Sequence, residues 1–150
     1  MRVSDVMTPG AECARPDDTL QHAAERMRSL DVGALPICEN DRIVGMITDR
    51  DIVTRVVARG LDPRRARVDE CMSDRVFACY EEDLIESCMW LMSRHQVRRI
   101  PVVDDRDRVV GIVSQADLAR HAGAFPGHGE RRSFADVVCA VSEPTPAPYR

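Results

Sequence analysis

The segment Val6-Met7-Thr8 returns later in the chain as Cys71-Met72-Ser73, and the same order of features follows each copy. Asp18-Thr19-Leu20 is matched by Asp83-Leu84-Ile85, and Met27 by Met92. Gly33-Ala34-Leu35-Pro36-Ile37 is matched by Arg98-Arg99-Ile100-Pro101-Val102, and the run from Ile43 to Ile52 by that from Val109 to Leu118. Met7 and Met72 lie 65 positions apart (72 − 7), as do Pro36 and Pro101 (101 − 36), while Gly45 and Gly111 lie 66 apart (111 − 45). One residue has therefore been added in the second hairpin turn. Anchors in a fixed order at a fixed spacing define a repeat, and a repeat restricts the chain to folds that build one supersecondary unit twice.

Each copy reads alike. Leu20, Ala23, Ala24 and Met27 fall at helical spacing, as do Ile85, Cys88, Met89 and Met92. Asp17-Asp18 and Glu82-Asp83 precede these runs, where acids suit a helix amino terminus. An apolar strand follows (Ala34 to Cys38; Ile100 to Val103), then a polar turn, then a second strand (Ile43 to Ile47; Val109 to Val113), which predicts a hairpin. A closing helix is expected from Asp49 or Gln115. With a short strand ahead of the first helix, the plan per copy is β-α-β-β-α, an α/β (α+β) class of fold. A unit of this size buries little apolar area by itself, so the two copies are expected to pack together. The expected domains are 1–62 and 63–122 for the two repeats, with a tail over 123–150. In that tail Phe125 to Gly129 and the Arg131-Arg132 pair read as loop, Phe134 to Val141 as one more short element, and the remainder as Pro-rich.

Composition narrows the class of function. Aromatics are 4% of the 150 residues and the formal net charge is −4, so the chain lacks the basic face and stacking platforms that nucleic acid requires. The basic cluster Arg64-Arg65-Ala66-Arg67 falls in a segment that reads as a solvated loop. No apolar run approaches a membrane span and MRVSDVMT lacks a signal-peptide core, so a cytoplasmic location with reduced thiols is expected. The six cysteines form no CxxC pair and show no zinc-ribbon spacing, so no metal site is expected.

The chemistry concentrates at Gly45-Met46-Ile47-Thr48-Asp49-Arg50-Asp51 and Gly111-Ile112-Val113-Ser114-Gln115-Ala116-Asp117. In both, a strand runs into a hydroxyl residue that opens a helix, with an aspartate three positions on. Free amides and the positive end of the helix dipole make such a point an anion site. Thr48 or Ser114 adds a hydroxyl for a phosphate, and Asp51 or Asp117 can accept from the paired hydroxyls of a ribose. A Ser/Thr-x-x-acid sequence is also a capping box, and the local pattern leaves both readings open.

These two runs, with the Leu35-Pro36-Ile37 and Ile100-Pro101-Val102 strands, resemble the CBS-domain family over about residues 3–121. The resemblance implies two tandem repeats related by pseudo-twofold symmetry, similar to stand-alone bacterial CBS pairs that include a hypoxic-response type and hence a stress-response role. It implies a non-catalytic regulatory module, needing no cofactor, that takes an adenosine nucleotide (AMP, ADP, ATP or S-adenosylmethionine) as ligand. It also implies a homodimer that signals to an effector protein. By residue it assigns Thr48 and Ser114 to phosphate or ribose, Asp51 and Asp117 to ribose hydroxyls, and Met46 and Ile112 to adenine, beside the Pro36 and Pro101 strands. Arg98 and Arg99 match positions where basic residues meet phosphate. Gly33 and Ala34 stand there in the first copy, so the two copies are expected to bind phosphorylated ligands unequally. The plainer alternative has these arginines pairing with Asp104 and Asp105 at the surface.

In the family's sheet the strands that carry Cys13 and Cys38 are neighbours, which makes these residues a candidate disulfide. The expectation for a cytosol is two reduced thiols. Cys88, Met27, Met89 and Met92 read as core and Trp90 as a candidate dimer contact. His22, His95, His121 and His128 share no ligand or catalytic spacing. Two further functions stay open: an interaction module with empty clefts, and a cysteine-based redox or metal sensor.

Overall fold

A computed structural model describes residues 1–125 and 127–143. The elements are β1 (Thr8–Pro9), α1 (Leu20–Leu30), β2 (Ala34–Glu39), β3 (Arg42–Thr48), α2 (Asp49–Ile52), β4 (Cys79–Tyr80), α3 (Ile85–His95), β5 (Arg99–Val103), β6 (Val109–Ser114), α4 (Gln115–His121) and α5 (His128–Ser142). The mixed α/β class expected from the repeat is the one observed, and helix α2 continues through one π turn, Val53–Val57. Two compact units form. One comprises Gly10–Val76 with Val103–Val110, and the other Met1–Pro9, Phe77–Val102 and the chain from Gly111 onward.

In the unit built on the first copy, β2 and β3 form an antiparallel hairpin with Pro36 opposite Met46 and Ile37 opposite Gly45. Its two-residue turn places Asn40 (φ 51°) and Asp41 (φ 64°) in the left-handed region, where the hairpin twist is best matched and Asn and Asp are tolerated. A bulge between Ile37 and Cys38 shifts the register. The Thr19 hydroxyl caps α1 by accepting from the His22 amide at 3.2 Å. Asp18 instead closes the preceding turn by accepting from the Arg15 amide. Leu20, Ala23 and Met27 on the inner face of α1 pack with Leu35, Ile37 and Ile47 of the hairpin. Each large aliphatic side chain fully removed from water here stabilises by roughly 2 kcal/mol.

The second copy repeats the scheme in a sheet of order β1-β6-β5-β4. Here α3 lacks a side-chain cap at Leu84, and the Met1 carbonyl accepts from the Ile85 amide at 3.0 Å. Ile85, Cys88, Met89 and Met92 form its buried face.

The swap of short segments has a local cause. Thr8 pairs with Ile112 and Pro9 with Gly111, while Ser73 exchanges both backbone bonds with Met46 (3.0 and 2.9 Å). A Cβ on Gly111 would lie 2.8 Å from the Thr8 carbonyl oxygen, and one on Gly45 would lie 3.0 Å from that of Ser73. Glycine at both strands is what lets the Met-Thr and Met-Ser segments cross so closely.

The tail differs from expectation. Helix α5 runs for 15 residues and starts six positions before the apolar run beginning at Phe134, so Arg131 and Arg132 lie on a helix and not in a loop. Val137 and Val141 are buried, and α5 packs on α3 and α4. The Pro-rich stretch 144–150 lies outside the described residues.

Candidate functional site: two strand-to-helix junctions

Both junctions open as the spacing predicts. Strand β3 ends at Thr48, which holds an extended conformation (φ −117°, ψ 160°) before α2, and β6 ends at Ser114 in the same way before α4 (φ −111°, ψ 162°).

In the first copy, the Asp51 carboxylate accepts from the Thr48 amide and from the Thr48 hydroxyl, each at 2.9 Å, while the Asp51 amide donates back to Thr48 Oγ1 at 3.2 Å. Those three bonds use only Asp51 Oδ2 on the carboxylate. Among the described residues the other oxygen, Oδ1, has only the Arg55 guanidinium, 3.8 Å away. In the second copy, Asp117 Oδ2 accepts from the Ser114 amide at 2.7 Å and hydroxyl at 2.5 Å. Here Oδ1 is also engaged, by the Thr8 hydroxyl at 3.2 Å and by Arg120. The Asp117 side chain is 5% exposed, whereas that of Asp51 is 17% exposed. Asp51 therefore keeps a reachable acceptor oxygen, and Asp117 has both oxygens occupied.

The amides differ from the sequence expectation of free donors. The Asp49 amide donates to the Gly33 carbonyl (3.0 Å), the Arg50 amide to Asp49 Oδ1 (2.8 Å) and the Asp51 amide to Thr48 Oγ1, so the first turn of α2 is satisfied. In α4 the Gln115 amide donates to the Arg98 carbonyl (2.9 Å) and the Asp117 amide to Ser114 Oγ (3.2 Å), leaving the Ala116 amide without a partner among the described residues. The capping-box alternative is thus realised at both junctions.

Met46 sits opposite Pro36, and Met46 and Ile112 are half-buried on the strands that lead to the two hydroxyls. Pro36 and Pro101 are buried. Arg98 and Arg99 are exposed beside and at the start of β5. Neither pairs with Asp104 or Asp105. Arg98 donates to the Val141 carbonyl at the end of α5 (3.0 Å), and Asp104 is taken by Arg108, whose Nε lies 2.8 Å from Oδ2. That bond, with the amides of Arg108 and Arg106, holds the Asp104 carboxyl below its ordinary range. Arg99 has no side-chain partner among the described residues.

The cysteines divide into two kinds. Cys13 and Cys38 form a disulfide with Cα atoms 5.8 Å apart, in place of the two thiols expected for a cytosol. The backbone explains the approach, because the Ala14 amide donates to the Pro36 carbonyl and the Cys38 amide to the Ala14 carbonyl, each at 2.9 Å. A cavity of about 380 Å³ opens on this bond, away from Thr48 and Asp51, and is lined also by Asp41, Asp104 and Arg108. Sequence reasoning missed that grouping, because Asp104 and Arg108 lie far along the chain from Cys13. Cys71, Cys79 and Cys88 are buried thiols and Cys139 is an exposed one. A hydrogen bond with Cys79, then burial, pushes the Cys88 thiol well above its usual range. His95 ends α3 and stacks on Phe77 with ring centroids 3.5 Å apart. Among the described residues no three His, Cys, Asp or Glu side chains are placed to hold a metal ion, and no helix is long and apolar enough to cross a membrane.

Comparison with known proteins places the fold in a family. The family model described as the CBS domain matches twice, at residues 3–58 and 68–123. Hypoxic response protein 1 of Mycobacterium tuberculosis is 46% identical over 137 residues, spanning 91% of this chain and 92% of that protein. A crystal structure of Hypoxic Response Protein I with two coordinated zinc ions superposes with a TM-score of 0.73 at 43% identity, over 81% of this chain and 98% of that one. The CBS domain pair of protein MJ0100, in complex with 5′-methylthioadenosine and S-adenosyl-L-methionine, gives a TM-score of 0.72 at 28% identity, over 80% and 98% of the two chains. Carrying two such matches across most of its length, the chain belongs to the CBS-domain family.

Proposed function

We propose that this protein is a non-catalytic regulatory module that binds an adenosine-containing nucleotide through its two strand-to-helix junctions. The observation that carries the reading is the duplicated hydroxyl-x-x-aspartate geometry, with Asp51 Oδ1 left available for a ribose hydroxyl. The MJ0100 pair, similar in fold, was crystallised with two adenosine ligands. In this reading Thr48 and Ser114 meet phosphate or ribose, Asp51 the ribose through its open Oδ1, Asp117 the ribose once the Thr8 hydroxyl leaves its Oδ1, and Met46 and Ile112 the adenine beside Pro36 and Pro101. Arg99 supplies the phosphate cation in preference to Arg98, whose guanidinium is committed to α5. In this reading the module works as a homodimer in the cytoplasm and passes its signal to an effector protein, with the ligand moving a conformational equilibrium through its differential affinity for two states.

The capping boxes formed at both junctions favour a second reading, in which the junctions are caps and the module serves protein interaction alone. A thermal-shift panel of AMP, ADP, ATP, S-adenosylmethionine and NAD separates the two. A ligand at 100 times its dissociation constant adds about 2.7 kcal/mol of stability. On the nucleotide reading that shift vanishes in Asp51→Ala/Asp117→Ala protein, and Arg99→Ala weakens AMP more than adenosine. No shift with any ligand would sink it and leave the interaction reading.

A further inference from the structure

We infer that the cavity over the Cys13–Cys38 disulfide is a thiol-exchange site, selective for small amine-bearing thiols over carboxylate-bearing ones, with Asp41 as the selector. Three observations carry it. Both cysteines are half-buried and line an open cavity of about 380 Å³, so a small reagent can reach the sulfurs without unfolding. The Arg108 cation is neutralised by Asp104, with Nη2 to Oδ2 at 2.7 Å, and Asp104 Oδ1 is filled by the amides of Arg106 and Arg108 at 3.0 and 2.9 Å. Asp41 is exposed at the turn and has no hydrogen-bond or ion-pair partner among the described residues; Arg108 lies within its electrostatic reach but is already paired with Asp104, so the three charged lining residues leave a net charge of −1, centred on Asp41.

Exchange proceeds through the thiolate of the entering reagent, because the thiol itself is a poor nucleophile. The thiolate attacks one Sγ, forming a mixed disulfide as the Cys13–Cys38 bond breaks, and the displaced protein thiolate takes a proton from water. A second reagent thiolate attacks the reagent sulfur of that mixed disulfide. It releases the remaining protein thiolate, which is likewise protonated, and leaves as a symmetrical disulfide. Two reagent thiols are oxidised and one protein disulfide is reduced. An ammonium on the reagent is drawn to Asp41 and a carboxylate is repelled by it. The same negative charge therefore shields the bond from anionic thiols and helps keep it oxidised among them.

The experiment uses the full chain purified in air. Alkylation of the denatured protein followed by mass measurement should find four reactive thiols, those of Cys71, Cys79, Cys88 and Cys139; six would overturn the proposal. Reduction rates are then compared for cysteamine, 2-mercaptoethanol and mercaptoacetate, each normalised to its rate against a small reference disulfide. Cysteamine should exceed mercaptoacetate by about tenfold, the product of attraction for one and repulsion for the other at a partly exposed charge. High salt should reduce that preference. Asp41→Asn should abolish it, and because Asn adopts φ above zero the turn survives the substitution. A preference unchanged in Asp41→Asn, or mixed disulfides mapped only to Cys139, would overturn the assignment. None of these readouts depends on nucleotide binding.

Discussion

At the scale of single residues, the two repeat glycines are not equivalent, and the difference is measurable. A methyl group on Gly45 meets first the Met72 Sδ at 2.5 Å, the mobile end of a flexible side chain, and then the Ser73 carbonyl at 3.0 Å. On Gly111 it meets the Thr8 carbonyl itself at 2.8 Å, level with Met7 Sδ. Backbone in a paired strand yields less readily than a methionine tip, so overpacking should cost more at the second site. We expect Gly111→Ala to lose about 3 kcal/mol and Gly45→Ala about 1 kcal/mol in urea unfolding, within the range for added core methyl groups. Adding Met72→Ala to Gly45→Ala should recover part of the loss, whereas Met7→Ala should recover little in Gly111→Ala. Equal losses would mean that the Thr8 segment is free to move. The aspartates teach a related lesson. The sequence shows a hydroxyl and an acid three residues apart, and both readings of that spacing draw on the same atoms. The added presence of Thr8 and Arg120 at Asp117 separates it from Asp51; Arg120 is a local i,i+3 neighbour, but no local pattern in either junction signals the Thr8 contact.

At the scale of elements, legibility followed periodicity. Helices α1 and α3 have apolar residues at helical spacing, and both hairpins have short apolar runs about polar turns, so the hairpin strands were readable to within one residue and the helices by their buried stripes, though α1 runs on to Leu30 beyond the last stripe residue, Met27. Helix α5 was not, because it opens on His128, Gly129, Glu130, Arg131 and Arg132, a run with no helical apolar stripe. Its apolar face begins only at Phe134, whose ring meets Phe125 edge-on at 6.2 Å. What forms the helix is tertiary: Val137 is fully buried, and Gln96 and Arg98 donate to the Ala140 and Val141 carbonyls that the helix end leaves unpaired. Val137→Ala should therefore cost about 2 kcal/mol, from two lost methyl groups and the space they leave. Cys139→Ala, on the exposed side of the same helix, should stay within about 0.5 kcal/mol. Denaturant titration of both variants checks this, and similar values would mean that α5 does not dock in solution.

At the scale of the whole molecule, sequence order and compact units diverge, and the repeat alone cannot reveal it. A repeat shows which segments are alike but not which copy each short strand joins. The first nine residues resemble the start of the first copy, yet their partners lie in the second. Val3 and Val6 are buried in that unit, and the amides of Val3 and Ser4 donate to the carbonyls of Asp83 and Glu81. Thr8 reaches Asp117, and Met1 supplies the acceptor that Leu84 cannot offer at the start of α3. Removing residues 1–9 thus takes away two buried aliphatic side chains, the outermost strand of the four-stranded sheet and one helix cap. Hydrogen exchange by mass spectrometry on the shortened chain should show faster exchange across β6, α3 and α4. The β2–β3 hairpin, whose core draws only on residues between Ala14 and Met72, should keep its protection. If the hairpin lost protection first, the swap of the amino-terminal segment would not describe the folded chain. If both units lost protection together, the two copies would be a single cooperative unit, and stability would have to be assigned to the chain as a whole.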